Sequence, residues 1–129
     1  MKYYPISLDL SGRACLIVGG GEVAERKAAR LLACGAVVSV ISEQLTPGLE
    51  RMKRAGKIRH LASTYAEPAL DGAFLVFGTT DDAGVNEAVC RDARKRGILV
   101  NIADEPKRCD FILPSFFEQG DLQIAVSTG

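Results

Sequence analysis

The chain has no tryptophan, a single histidine and only 6% aromatic residues. Proteins that bind single-stranded nucleic acid need aromatic stacking platforms, and little is present here to build one. Neither sign of charge is in excess: 16 basic and 16 acidic residues cancel, so no global field favours nucleic acid or an anionic membrane. No apolar run approaches the roughly 18 residues that cross a bilayer, and the opening Met1-Lys2-Tyr3-Tyr4-Pro5 has no signal-peptide core. These absences predict a cytoplasmic protein with no nucleic-acid or membrane partner.

The four cysteines, Cys15, Cys34, Cys90 and Cys109, include no CxxC pair and read as reduced packing residues. His60, in the strand-like stretch 57–61, has no Cys or His partner at metal-ligand spacing, so it reads as structural and no metal site is expected. At 129 residues the chain makes one core and is too short for a dinucleotide-binding domain plus a full catalytic domain. Repeats, low-complexity tracts and linkers are absent.

What the chain does have is Cys15-Leu16-Ile17-Val18-Gly19-Gly20-Gly21-Glu22-Val23-Ala24, an apolar run that breaks into three glycines before a helical pattern. In the GxGxxG/A spacing, Gly19 allows a tight turn, Gly21 lets backbone N–H groups approach a pyrophosphate, and Ala24 lets the helix pack close. Val23, Ala28, Leu31 and Leu32 give that helix an apolar face to about Cys34, Gly35 ends it, and a strand follows at Val37–Ile41. The unit from Cys15 to Ile41 takes 27 residues, against the roughly 30 of a Rossmann βαβ.

A leading strand is expected where Ile6, Leu8 and Leu10 alternate before Ser11-Gly12. Thr46 and Pro47 start a helix that Gly56 stops, strands are expected at 57–61, 73–77 and 98–102, and a helix over 83–96 is capped by Asp81 or Asp82. Its inner face is Val85, Ala88, Val89 and Ala93. Between strands three and four there is room for at most one helical turn. Two further strands, 111–113 and 122–127, flank Glu118-Gln119-Gly120-Asp121. The fold class is therefore α/β: a Rossmann-type, doubly wound, mostly parallel sheet with helices on both faces, followed by short C-terminal strands.

Ligands of such sheets bind beyond the carboxyl ends of the strands, which nominates the loops at Gly19 to Val23, Ser42 to Gln44, Gly78 to Asp82 and Ala103 to Pro106. Glu43 stands near the position of a ribose-binding acid; its other reading is a solvated loop residue. No Lys or Arg occurs between Leu31 and Glu50, which favours NAD over NADP. Thr79 and Thr80 either line the nicotinamide end or lead into a helix cap. By position Asp104 is a candidate acid or base no better placed than Asp81, Asp82 or Glu105. Lys107 and Arg108 are either solvated or anion contacts.

Taken in order, Pro5-Ile6, Gly12-Arg13, the glycine segment through Glu25-Arg26-Lys27, Thr79-Thr80-Asp81-Asp82, Val85-Asn86, Asn101-Ile102-Ala103-Asp104-Glu105-Pro106, Phe111-Ile112-Leu113-Pro114-Ser115 and Ala125-Val126-Ser127-Thr128-Gly129 resemble the N-terminal part of the siroheme synthase family. The resemblance implies an NAD-dependent precorrin-2 dehydrogenase giving sirohydrochlorin; bifunctional members also insert Fe²⁺ to make siroheme. It implies Asp104 as the catalytic residue, and NAD contacts at Gly19, Gly21, Glu22, Val23, Glu43, Gln44, Thr79 and Thr80. It further implies tetrapyrrole substrates, a homodimer, and a division into an NAD-binding domain at 1–113 and, at 114–129, the start of a dimerisation and substrate region that continues beyond Gly129 in family members. For so carboxylate-rich a substrate the cleft looks short of cations, with Arg13, Lys107 and Arg108 as candidates. The alternatives from other classes are an NAD(H)-sensing module without chemistry and an S-adenosylmethionine-dependent methyltransferase. The Asn-x-x-Asp-x-Pro and Phe-Ile-Leu-Pro-Ser segments argue for the enzyme over the sensor.

Overall fold

β1 (Ala14–Val18) is apolar throughout because both of its faces are covered: Cys15 and Ile17 enter one core layer, Leu16 and Val18 the other. There follow α1 (Glu22–Ala33), β2 (Val37–Ile41), α2 (Pro47–Arg54), β3 (Ile58–Ala62), a 3-10 turn at Glu67–Leu70, β4 (Leu75–Gly78), α3 (Ala83–Lys95) and β5 (Leu99–Ile102). The computed structural model describes residues 2–127; Met1, and the Thr128 and Gly129 that complete the Ser-Thr-Gly segment, lie outside the described residues.

The five strands form one parallel sheet in the order β3-β2-β1-β4-β5, the doubly wound arrangement expected. α1 and α2 bury Ala24, Ala28, Leu31 and Leu49 on one face; α3 and the 3-10 turn bury Val89, Ala93 and Leu70 on the other. Chain order reverses between β1 and β4, which makes the carboxyl ends of these two strands the switch point. Thr46 caps α2, its hydroxyl accepting from the Leu49 N–H at 3.1 Å, with Pro47 in the first turn. Asp82, rather than Asp81, caps α3 by accepting from the Gly84 and Val85 N–H groups at 2.9 and 3.2 Å.

Several expectations need correction. Residues 2–10 form no strand: Leu10 reaches the core, while Ile6 and Leu8 stay exposed, so the alternation has no apolar surface to cover it. Residues 111–113 form no strand either. Side chains hold this segment along β5 instead: Asn101 Nδ2 donates to the Phe111 carbonyl at 2.9 Å, Asp110 accepts from the Val100 N–H at 3.0 Å, and Phe111 packs edge-on against Phe77. The terminal antiparallel pair is β6 (Ser115–Gln119) with β7 (Leu122–Val126), turning at Gly120 and Asp121. On α1, Val23 is exposed and Ala24 takes the inner position. On α3, Val85 and Ala88 are half-buried, whereas Asn86, Cys90 and Asp92 go inside. All four cysteines are free; Cys15 and Cys90 are buried, and Cys34 is exposed at the end of α1.

Candidate active site

The glycine turn divides its three residues between fold and opening. Gly19 takes φ 143° and donates its N–H to the Ile41 carbonyl at 2.8 Å; a Cβ there would collide with the Thr79 hydroxyl. A Cβ on Gly20 would collide with Ser42 and the Gln44 carbonyl. Gly21, by contrast, has an ordinary φ of −90° and nothing within 4 Å of the place a Cβ would occupy. The first two glycines are required by the protein's own packing; the third leaves open space at the start of α1, where no side chain caps the helix. Unpaired N–H groups and the positive end of the helix dipole there suit a pyrophosphate. Glu22 and Val23 are exposed beside it.

An open cleft of about 450 Å³ lies beside the turn, lined by Val18, Gly19, Ser42, Glu43, Gln44 and Thr80 but not by Gly21, Glu22 or Val23, within the usual size for cofactor sites. Gly19, Glu43, Gln44 and Thr80 of the expected contacts share this cleft. Thr79 does not line it; its N–H and hydroxyl donate to the Val18 carbonyl at 2.9 and 3.3 Å. Thr80 is locked to Asn86 of α3: its hydroxyl donates to Oδ1 at 2.8 Å and its carbonyl accepts from Nδ2 at 2.9 Å. Both threonines therefore tie the end of β4 to its neighbours.

Tyr65 lines the same cleft and was not anticipated from the sequence. Its hydroxyl donates to Asp92, a buried carboxylate on α3, at 2.9 Å; burial and this bond push its phenol well above the usual range. The pairing spans 27 positions, so only a fold with β3 and α3 already in place reveals it.

Asp104 follows β5 and is exposed, with φ 62°, the only non-glycine residue of positive φ among the described residues. Of the carboxylates weighed with it, Asp82 is committed to the α3 cap and Glu105 pairs with Arg108 at 3.5 Å. Asp81 and Asp104 have no hydrogen-bond or ion-pair partner among the described residues. Cys109 steadies the loop: its sulfur accepts from the Ile102 N–H at 3.3 Å and lies 3.2 Å from the Glu105 carbonyl, and burial raises its thiol pKa.

The cations near Asp104 differ from those expected. Arg13 precedes β1, at the opposite edge of the sheet, with its guanidinium over the Phe74 ring at 4.5 Å. Arg108 pairs with Glu105 and Glu87, and Lys107 is exposed. Lys27 of α1 takes Arg13's place. It is half-buried, its Nζ lies 4.9 Å from the centroid of Phe77, and no carboxylate lies within ion-pair distance among the described residues. Burial lowers its pKa, opposed by the nearby Cys109 and Asp104.

The family model described as "Putative NAD(P)-binding" matches residues 6–115. The siroheme synthase of Methylobacillus flagellatus is 49% identical over all of this chain, which spans 28% of that protein. That of Chromobacterium violaceum is 45% identical, again over all of this chain and 27% of its own length. The chain thus spans little more than a quarter of these curated relatives. A solved structure named SirC, precorrin-2 dehydrogenase, shares the fold with a TM-score of 0.86 and 30% identity, over 98% of this chain and 62% of that one. The likeness to siroheme synthases read from the motifs extends along the whole sequence. With a glycine turn at the switch point of a doubly wound sheet, the chain belongs to the NAD(P)-binding family whose model covers residues 6–115.

Proposed function

We propose that this chain is the NAD-dependent dehydrogenase part of a siroheme-forming protein, oxidising precorrin-2 to sirohydrochlorin. The observation that carries the reading is that a glycine turn with open space at Gly21 leaves β1, and the loop bearing Asp104 leaves β5, at the same carboxyl end of one parallel sheet. The names of the similar proteins support it. Gly19, Gly21, Glu22 and Val23 would hold the pyrophosphate, Glu43 and Gln44 the adenosine ribose, and Thr79 and Thr80 the nicotinamide end. The cofactor, when bound, supplies the hydride acceptor.

Oxidation removes a hydride and a proton from the tetrapyrrole. With the cofactor bound as hydride acceptor, Asp104 would take the accompanying proton as general base. Lys27 offers its ammonium to one of the substrate carboxylates, which desolvates less readily than it pairs. In a bifunctional protein Fe²⁺ displaces two pyrrole N–H protons, and Asp104 is the acceptor for these as well.

The protein works as a homodimer in the cytoplasm on this reading. In β6 and β7 the side chains of Phe117, Leu122, Ile124 and Val126 fall on one face by the strand register, and all are exposed. No helix among the described residues is long and apolar enough to cross a membrane. Incubating the full-length protein with precorrin-2 and NAD, and following sirohydrochlorin absorbance, tests the reaction. Tight NAD binding without turnover would instead favour a nucleotide-sensing module.

A further inference from the structure

Glu25 lies on the inner side of the first turn of α1, and its carboxylate reaches the start of another helix. The Thr46 hydroxyl, which caps α2 by accepting from the Leu49 N–H, donates to Glu25 Oε1. Gly48, in the first turn of α2, is buried, and any Cβ on it would collide with both oxygens of the same carboxylate. One carboxylate thus stands at the amino ends of two helices, where the partial positive charge of each favours it. Thr46 also donates its N–H to the Gly20 carbonyl at 3.1 Å. The glycine turn, α1 and the head of α2 therefore meet at a single residue.

This junction closes one end of the loop that carries Glu43. The other end is held by the sheet: the Ser42 N–H donates to the Ala62 carbonyl at 3.1 Å, and the His60 ring lies 2.7 Å from the Ser42 carbonyl through Nε2, with Lys53 3.3 Å from Nδ1. Within the loop the Ser42 hydroxyl donates to the Gln44 carbonyl at 2.6 Å. Glu43 itself is exposed, and its side chain has no hydrogen-bond or ion-pair partner among the described residues. Its position is therefore set by the two anchored ends. Telling a ribose 2′-hydroxyl from a 2′-phosphate depends on where that carboxylate stands, because it accepts from the first and repels the second.

We propose that Glu25 is the positioning residue of the ribose-reading loop, and that through Thr46 it sets the preference for NAD over NADP. The inference rests on the reading of the cleft as an NAD site. Calorimetric titration of the full-length protein with each dinucleotide, alongside thermal melts, tests it. Wild type binds NAD more tightly than NADP. In Glu25→Ala the ratio of the NADP to the NAD dissociation constant falls about tenfold, because NAD binding weakens and NADP binding does not weaken in step. Glu25→Gln, which keeps an oxygen to accept from Thr46, retains most of the ratio. Thr46→Val lowers the ratio as Glu25→Ala does, and the double variant is no worse than either single one, the mark of two residues acting as a unit.

A ratio that stays at the wild-type value in a folded Glu25→Ala overturns the proposal, as does an equal loss for both dinucleotides, which is what a merely structural cap would give. Should Glu25→Ala fail to fold, the Thr46→Val ratio decides in its place. Wild-type protein that binds neither dinucleotide overturns the cofactor reading itself, a result distinct from a failed clamp.

Discussion

At the scale of single residues, Asp104 combines a conformation that costs free energy with a side chain that has no hydrogen-bond or ion-pair partner among the described residues. A left-handed backbone at a non-glycine residue costs of order 1 kcal/mol, and Asp and Asn are the side chains that tolerate it best. Asp104→Asn therefore leaves the backbone at φ 62° comfortable and removes only the capacity to take a proton. We expect NAD affinity and melting temperature near wild type, with precorrin-2 oxidation slowed roughly 10²-fold or more; wild-type turnover would show a turn residue. Gly21→Val makes the complementary test. Its φ of −90° and empty surroundings mean that the fold accepts a side chain, so NAD binding should be lost from a protein that still melts cooperatively. Unchanged affinity in calorimetry would remove the cofactor assignment. Lys27 gives a pH-dependent case. Its folded pKa lies below 10.5, so at alkaline pH the unfolded chain binds more protons, and stability contributed at this site rises with pH through that window. Melts of Lys27→Met should thus show a gain over wild type at neutral pH that shrinks toward pH 10.5, together with a raised KM for precorrin-2. A constant difference across that range would mean that desolvation of the ammonium is not the cause.

At the scale of elements, the sequence was most legible where period and punctuation agree. The run from Cys15 to Val18, the glycines and the small residues Ala24 and Ala28 describe a buried parallel strand and a closely packed helix before any contact is known. Thr46-Pro47 reads as a helix start for the same local reasons, and the structure adds that the Thr46 hydroxyl serves two partners. Failures came where the outcome depends on distant partners. Ile6, Leu8 and Leu10 alternate as a strand should, yet of the three only Leu10 finds the core. Phe111 to Leu113 are apolar enough for a strand, but Asn101 and Asp110 hold that segment through side chains. The α3 face shifted because Asn86 and Asp92, polar by type, are buried with partners, Thr80 and Tyr65, that are remote or contextual. Within the site, the loop at Glu43 and the edge at Asp104 were readable from strand ends. Tyr65, which lines the cleft, and Lys27 and Glu25, which do not line it, were not readable, because their partners Asp92, Phe77 and Thr46 meet them only through tertiary packing.

At the scale of the whole molecule, the β6–β7 hairpin is the part that the five-stranded sheet leaves uncovered. A lone two-stranded hairpin is marginal in water, and all ten residues of the two strands are exposed. Register places Phe116 on one side, where the Arg30 guanidinium of α1 lies 3.6 Å from the ring centroid. The other side carries Phe117, Leu122, Ile124 and Val126, exposed by 48% to 62%. The hairpin is therefore amphipathic in the sense opposite to a covered sheet, with its more apolar face turned outward. A symmetric partner would present the same patch and bury both at once, the arrangement of an isologous dimer. Replacing Phe117 and Ile124 together with serine removes the centre of that patch while leaving the five-stranded sheet and its cleft untouched. Sedimentation velocity on the full-length protein should then show the dimer replaced by monomer, with the NAD dissociation constant unchanged, since the glycine turn lies in a separate sheet. A variant that sediments as wild type would place the subunit contact elsewhere, and a loss of NAD binding along with the dimer would mean that the hairpin face supports the cofactor cleft across the interface.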